Sequence, residues 1–270
     1  MSERRNDSVD APMLGALFGA ESSSGSESDD ESSGFAPPPA APWHADADDA
    51  EPPPRSAAGD PQRDAETALV AGGASVRLRQ RGADLACKGG VCWGAARALC
   101  ALFAANPARA DLAGRRVLEL GAGTGAVGLW IALRYPTARV TLTDLPEALP
   151  LIRANAALNG LADRVRVAPL AFGDPVPSED DPFDVVVGSD LLYSVQCEVP
   201  WRQLAATLAT APRGCTTWLA IQERYGCRVR DLGDFFALVG RASTEIPRGD
   251  VAKYAGDLGA EAPLRVVRTQ

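Results

Sequence analysis

Three glycines at alternate positions, Gly121, Gly123 and Gly125, stand in the segment VLELGAGTGAVGLW, where an apolar strand-like run gives way to a helix-like one. Glycines at such a junction let the backbone turn tightly and let a ligand approach the peptide groups closely. Asp144 ends the next apolar run, VTLTD, 21 positions after Gly123. A carboxylate there can accept both hydroxyl hydrogens of a ribose, so loop and acid together suit a cofactor built on adenosine. Two such cofactors fit the spacing. The run from Gly123 through Gly125 to Gly128 satisfies G-x-G-x-x-G, the fingerprint of dinucleotide binding. Glu119, however, lies two residues before the first glycine, where it would repel a pyrophosphate but could pair with the ammonium of a methionine group. After residue 65 there is no histidine, and the lysines Lys88 and Lys253 form no Tyr-x-x-x-Lys pair, so the usual proton donors of hydride chemistry are missing. The balance favours S-adenosyl-L-methionine over a nicotinamide dinucleotide, with a purely structural loop as the third reading.

The elements that must hold these residues follow from the hydrophobic period. Residues 75–80 alternate apolar and polar like a short strand, and residues 91–105 read as a helix closed by Asn106-Pro107. A strand-then-helix pattern then repeats: strand at 116–120, helix at 126–134, strand at 139–143, and helix at 145–158 with a stop at Asn159-Gly160. Further strands are predicted at 164–168, 183–188 and 216–222, with helices at 200–210 and 232–239. Alternation with short connections predicts an α/β fold, a Rossmann-like, doubly wound and mostly parallel sheet with helices on both faces. Ligands of such sheets sit at the carboxyl ends of the strands, where the glycine loop and Asp144 fall.

Composition divides the chain near residue 65. Residues 1–65 carry ESSSGSESDDESSG and the proline clusters APPPAAP and EPPP, with almost no β-branched or long aliphatic side chains. Such a segment cannot bury enough apolar surface to offset its ordering entropy, so 1–65 is expected to be a disordered acidic tail and 66–270 the folded domain. The tail takes 14 of the 35 acidic and 4 of the 27 basic residues, which leaves 21 acids and 23 bases after it. That near-neutral balance supplies no basic stripe for a phosphate backbone. No apolar run is long enough to cross a bilayer and MSERRNDSVD lacks a secretory signal, so a soluble, intracellular protein is expected. The six cysteines, Cys87, Cys92, Cys100, Cys197, Cys215 and Cys227, form no CxxC pair, and the one histidine is His44 in the tail. Reduced, mostly buried thiols and no metal site are the expectation.

The ordered pieces GGVCWGAARAL, VLELGAGTGAVGL, VTLTDLPEALPLIRANAALN, LAFGD, FDVVVGSDLLYS and FFALVG resemble the seven-β-strand protein-lysine methyltransferases, from about residue 75 to residue 239. The resemblance implies a seven-stranded class I methyltransferase domain that binds S-adenosyl-L-methionine and modifies lysine side chains of non-histone proteins. It assigns Trp93 to the wall of the cofactor site, Gly121, Ala122 and Gly123 to the methionine and ribose region, and Asp144 to the ribose hydroxyls. Phe172 takes the adenine side, where the family usually carries tryptophan in a Trp-Gly pair, so an aromatic face is kept and an indole donor lost. Ser189 lines the cofactor, and Asp190 with Tyr193 matches the family's Asp-x-x-Tyr beside the acceptor. A monomer working in the cytoplasm, and able to work in the nucleus, is expected, with a protein partner and neither nucleic acid nor membrane. Two alternatives stand beside this reading: the same fold acting on a small molecule or on a histidine or arginine side chain, and a non-catalytic interaction protein that retains the fold.

Overall fold

The computed structural model describes residues 65–81, 88–177, 182–192, 201–222, 229–255 and 264–269. All of them belong to one compact unit that runs from Ser56 to Gln270. The acidic tail, Tyr193, Cys87, Cys197 and Cys227 lie outside the described residues.

A short antiparallel hairpin comes first, β1 (Glu66–Ala71) and β2 (Ala74–Arg79). Its turn, Gly72-Gly73, has both residues at positive φ, the geometry that suits the twist of a two-residue hairpin loop. The strand expected at 75–80 is therefore real, but it pairs with β1 in a separate two-stranded sheet and not with the main one. After a short 3-10 turn at Lys88–Gly90, helix α1 (Gly94–Ala105) begins three residues later than the helical period suggested. Trp93 is extended there, with φ −75° and ψ 160°, and serves as the residue before the first turn. Pro107 does end α1, yet it also opens a four-residue helix, α2 (Pro107–Ala110), because a proline lacks only an N–H that a first turn leaves unused.

The main sheet then builds up from β3 (Arg116–Leu120), α3 (Ala126–Arg134), β4 (Arg139–Asp144), α4 (Leu149–Leu158), β5 (Val165–Pro169) and β6 (Val185–Ser189). Helix α4 starts four residues later than expected, since residues 146–148 form a turn behind Pro146. Next come α5 (Trp201–Ala209), β7 (Thr216–Gln222), α6 (Val229–Val239), β8 (Ser243–Glu245), α7 (Arg248–Ala255) and β9 (Leu264–Thr269). Strand order is β5-β4-β3-β6-β7-β9-β8, parallel throughout except for β9, which runs antiparallel to both neighbours. The chain leaves β3 toward β4 and β5, then returns to lay β6 on the other side of β3. That reversal opens a crevice at the carboxyl ends of β3 and β6, where such sheets bind ligands.

Alternate residues of each strand feed two cores. Val117, Val140, Leu142, Val185, Val187 and Trp218 face α1, α3 and α4, whereas Leu118, Leu120, Val186, Leu219 and Ile221 face α5 and α6. Burial on both faces explains why β3 and β6 read as nearly continuous apolar runs and not as alternating ones. Phe103 of α1 meets Trp218 of β7 edge to face, with ring centroids 5.3 Å apart, which locks the first helix onto the sheet. Among the described residues no helix is long and apolar enough to cross a membrane.

Candidate cofactor and acceptor site

The loop from β3 to α3 takes the shape its glycines permit. Gly121, Gly123 and Gly125 have φ of 56°, 56° and 78°, a region that residues with a Cβ rarely enter. Ala122, buried between them, donates its N–H to the Thr143 carbonyl at 2.9 Å, and the Thr143 hydroxyl donates to the Glu119 carbonyl at 2.7 Å. These bonds fasten the loop to the end of β4. Space around it is tight: a Cβ on Gly123 would stand 2.6 Å from the Gly89 carbonyl oxygen, so the turn before α1 packs directly on the loop.

Two carboxylates flank it. Asp144 closes β4, with one oxygen accepting the Gly123 N–H and the other the Leu145 N–H, both at 2.7 Å. Burial pushes its pKa up, and the two N–H bonds oppose the rise. Glu119 is more deeply placed, 2 % exposed, beneath the first turn of α3, where it accepts the Gly128 N–H at 2.7 Å. A negative group suits a helix N-terminus. Even so, burial raises the Glu119 pKa to about 8, with the nearby Asp144 charge adding to the rise.

Strand β6 ends at Ser189, half-buried, and the chain turns sharply at Asp190. Asp190 has φ 57°, the left-handed region that aspartate tolerates better than most residues, and its N–H donates to the Ala220 carbonyl at 2.7 Å. Its side chain is buried rather than open to solvent. Leu191 then folds back over the loop: its Cδ2 would lie 2.6 Å from a Cβ on Gly121, and its Cδ1 2.6 Å from one on Gly188. Phe172, half-buried after β5, brings its ring edge to 3.3 Å from the same Gly121 position.

The structure thus gathers Glu119, Gly121 to Gly125, Asp144 and Phe172 around one loop, with Ser189 and Asp190 at the end of the neighbouring strand. Trp93 stands four residues beyond Gly89, half-buried. Sequence reasoning gave no role to Leu191 or to Asn155, whose amide donates to the Thr124 carbonyl within the loop. The one signal for Asn155 was a polar residue on a helix position that turns out fully buried. A separate groove of about 760 Å³ opens at the amino ends of β3, β4 and β5, lined by Arg116, Arg139, Arg164 and Arg166 with Phe183. Standing at the opposite end of the strands, it is no part of this site. Cys92, Cys100 and Cys215 are free and buried, and burial pushes the Cys92 and Cys215 thiols up to about 11.

A seven-stranded sheet with one reversed strand, and a glycine loop after β3 paired with the acid that ends the adjacent β4, define the class I methyltransferase fold. A family model described as lysine methyltransferase matches residues 73–236, more than half of the chain, and the chain belongs to that family. It is similar to EEF1A lysine methyltransferase 3 of Xenopus tropicalis, 37% identical over 123 residues that cover 45% of this chain and 53% of the relative. Protein N-lysine methyltransferase METTL21A of Danio rerio is 35% identical over 144 residues, 52% of this chain and 61% of the relative. The chain spans about half the length of the curated relatives it matches. Among solved structures, a TehB-like SAM-dependent methyltransferase from Corynebacterium glutamicum aligns with a TM-score of 0.47 at 15% identity, covering 67% of this chain and 89% of that one.

Proposed function

We propose that the protein transfers methyl groups from S-adenosyl-L-methionine to a lysine side chain of another protein. The observation that carries this reading is the convergence of the Gly121–Gly125 loop, Asp144 and Asp190 at the carboxyl ends of β3, β4 and β6 in a chain of the lysine methyltransferase family.

The donor set suits the cofactor. Each Asp144 oxygen spends one lone pair on a backbone N–H, and a carboxylate has about four acceptor positions, so two remain for ribose hydroxyls. Glu119 supplies a negative group on the loop side for the methionine ammonium, Phe172 an aromatic face for the adenine, and Trp93 and Ser189 further wall. When bound, S-adenosyl-L-methionine presents an electrophilic methyl group on a sulfonium whose leaving group is a neutral thioether. The chain's own task is then to align an amine and keep it unprotonated. Lysine reaches such a site as an ammonium, and desolvation among apolar side chains such as Leu191 and Leu192 lowers its pKa. Asp190, buried at the sharp turn after β6, receives or orients the proton that the ammonium gives up, after which the Nζ lone pair is free to attack. Tyr193, from the family's Asp-x-x-Tyr, lines the acceptor channel in this reading and lies outside the described residues. The near-neutral charge after residue 65 supports a protein acceptor over a phosphate backbone.

The test incubates the full chain with methyl-labelled S-adenosyl-L-methionine and an extract of its source cells, and locates the label by mass spectrometry. Because two relatives are named for EEF1A, that protein is the first purified acceptor to try. Label on a lysine amine is expected. Asp190→Asn keeps a residue that tolerates positive φ, and should cut turnover by roughly 10² to 10⁴ with little change in cofactor affinity. Label on any other group would overturn the acceptor, and unimpaired transfer by Asp190→Asn would overturn its role.

A further inference from the structure

Two asparagines one helical turn apart, Asn155 in α4 and Asn159 capping its end, treat strand β2 as if they were a neighbouring strand. Asn155 accepts the Arg79 N–H at 2.8 Å and donates to the Arg79 carbonyl at 3.1 Å. Asn159 accepts the Arg77 N–H at 2.9 Å and donates to the Arg77 carbonyl at 2.7 Å. An amide side chain carries the same donor and acceptor as a peptide group, so two of them satisfy the edge of β2 that faces away from β1. An edge left unsatisfied there would cost stability. The two residues differ in one respect: the Asn155 Nδ2 also donates to the Thr124 carbonyl, inside the glycine loop, at 2.9 Å, whereas the other bond of Asn159 goes to its own helix, at the Asn155 carbonyl.

The two residues after β2 bond the other wall of that loop. Gln80, next after β2, accepts the Cys92 N–H through its side chain at 2.8 Å, and the Arg81 N–H donates to the Gly90 carbonyl at 2.9 Å. Those bonds seat the turn whose Gly89 backbone lies against Gly123. Asn155, fully buried, therefore bonds the loop directly, at Thr124, and bonds the end of β2, at Arg79, whose next two residues hold the turn that packs on the loop.

We infer that Asn155 is a positioning residue of the cofactor site, its single amide setting the glycine loop against the end of β2 and, through Gln80 and Arg81, against the Lys88–Gly90 turn. The inference rests on the reading that this loop holds S-adenosyl-L-methionine. Asn159 is the internal comparison, since it ties the same strand to the same helix without reaching the loop.

Titration calorimetry of the full chain with S-adenosyl-L-methionine, in parallel with thermal melting without it, separates the roles. Asn155→Ala should raise the cofactor Kd about tenfold, the scale of one lost hydrogen bond that ordered the site, and Asn159→Ala less than about twofold. Both should lower the melting temperature. Amide hydrogen exchange without cofactor should quicken at Gly123 and Gly125 in the Asn155 variant and not in the Asn159 variant. If Asn155→Ala does not fold, Asn155→Asp serves in its place, because it keeps the volume and the acceptor for Arg79 while setting a carboxylate oxygen against the Thr124 carbonyl. An unchanged Kd in a folded Asn155 variant, or an equal change in both variants, would overturn the positioning role. Asp144→Ala tells that failure from a failure of the underlying reading: weaker binding there with normal binding in the Asn155 variant removes only the role of Asn155. Normal binding in Asp144→Ala removes the cofactor from this loop, and the inference with it.

Discussion

Glu119 and Asp144 are the residues at which charge and stability pull against each other. Both are buried with raised pKa values, and Glu119, at about 8, keeps in the folded state a proton that the unfolded chain releases at an ordinary carboxylic pKa. A group raised in this way contributes its stability below its unfolded pKa and loses it as pH rises through the folded value. The cofactor-free protein should therefore lose stability between about pH 4.5 and 8, by a few kcal/mol at most from Glu119. Glu119→Gln keeps an acceptor for the Gly128 N–H, so its melting temperature should exceed that of the wild type at pH 8 and change less with pH. Cofactor binding should respond in the opposite direction. If the methionine ammonium pairs with Glu119, binding near pH 7 releases a proton, visible as a calorimetric heat that depends on the ionisation enthalpy of the buffer. Glu119→Gln should remove that dependence and weaken binding. A wild-type heat independent of buffer would rule out the pairing.

At the scale of elements, the contact of α3 with the sheet decides how the loop is held. Gly128 sits in the first turn of α3, and a Cβ there would stand 2.5 Å from Leu142 Cδ2 and 2.6 Å from the Glu119 carboxylate. Its φ is ordinary, so the need for glycine here is purely one of space. The third glycine of the apparent dinucleotide fingerprint thus serves close helix-to-strand packing. Gly128→Ala should cost about 1–3 kcal/mol by overpacking, measured by chemical denaturation. Leu142→Ala made alongside it should recover part of that loss, since one crowding atom is then gone. Full additivity of the two substitutions would show that the crowding is not felt. The glycine spacing was legible in the sequence because turns are local. Which glycine answers to φ and which to packing was not, because Leu142 approaches only once β4 lies beside β3.

For the whole molecule, the strand at the end of the chain matters more than its position suggests. Strand β9 enters between β7 and β8, bonded to both, and contributes Val266 to one core and Val267 to the opposite side of the sheet. Arg265 beside it pairs with Glu245 of β8, an ion pair 13% and 33% exposed at its two ends. Deleting residues 264–270 should leave no cooperative melting transition, because β8 would lose its only sheet partner among the described residues and β7 an entire edge. A truncated chain that melts like the full one would place the domain boundary before β9. Neither β8 nor β9 was expected from the sequence: three residues are too few to show an alternation, and LRVVRT, with Val266 and Val267 adjacent, does not alternate.

Read by itself, the chain determined what depends on near neighbours. The strand-helix alternation from 116 to 239, the glycine turn after the first main strand, the acid closing the second, and the aspartate after the fourth all lie where short-range periodicity and turn chemistry put them. Tertiary structure alone decided what depends on distant partners. The alternating segment 75–80 became half of a separate hairpin, because its outer edge found two asparagine amides, one in α4 and one at its C-terminal cap, rather than a strand of the main sheet. The bonds of Asn155 to Arg79 join residues 76 positions apart, and no local pattern marks such a pair. Hydrophobic period reports which side of an element is buried, whereas the partner of a buried polar group is set by the route of the whole chain.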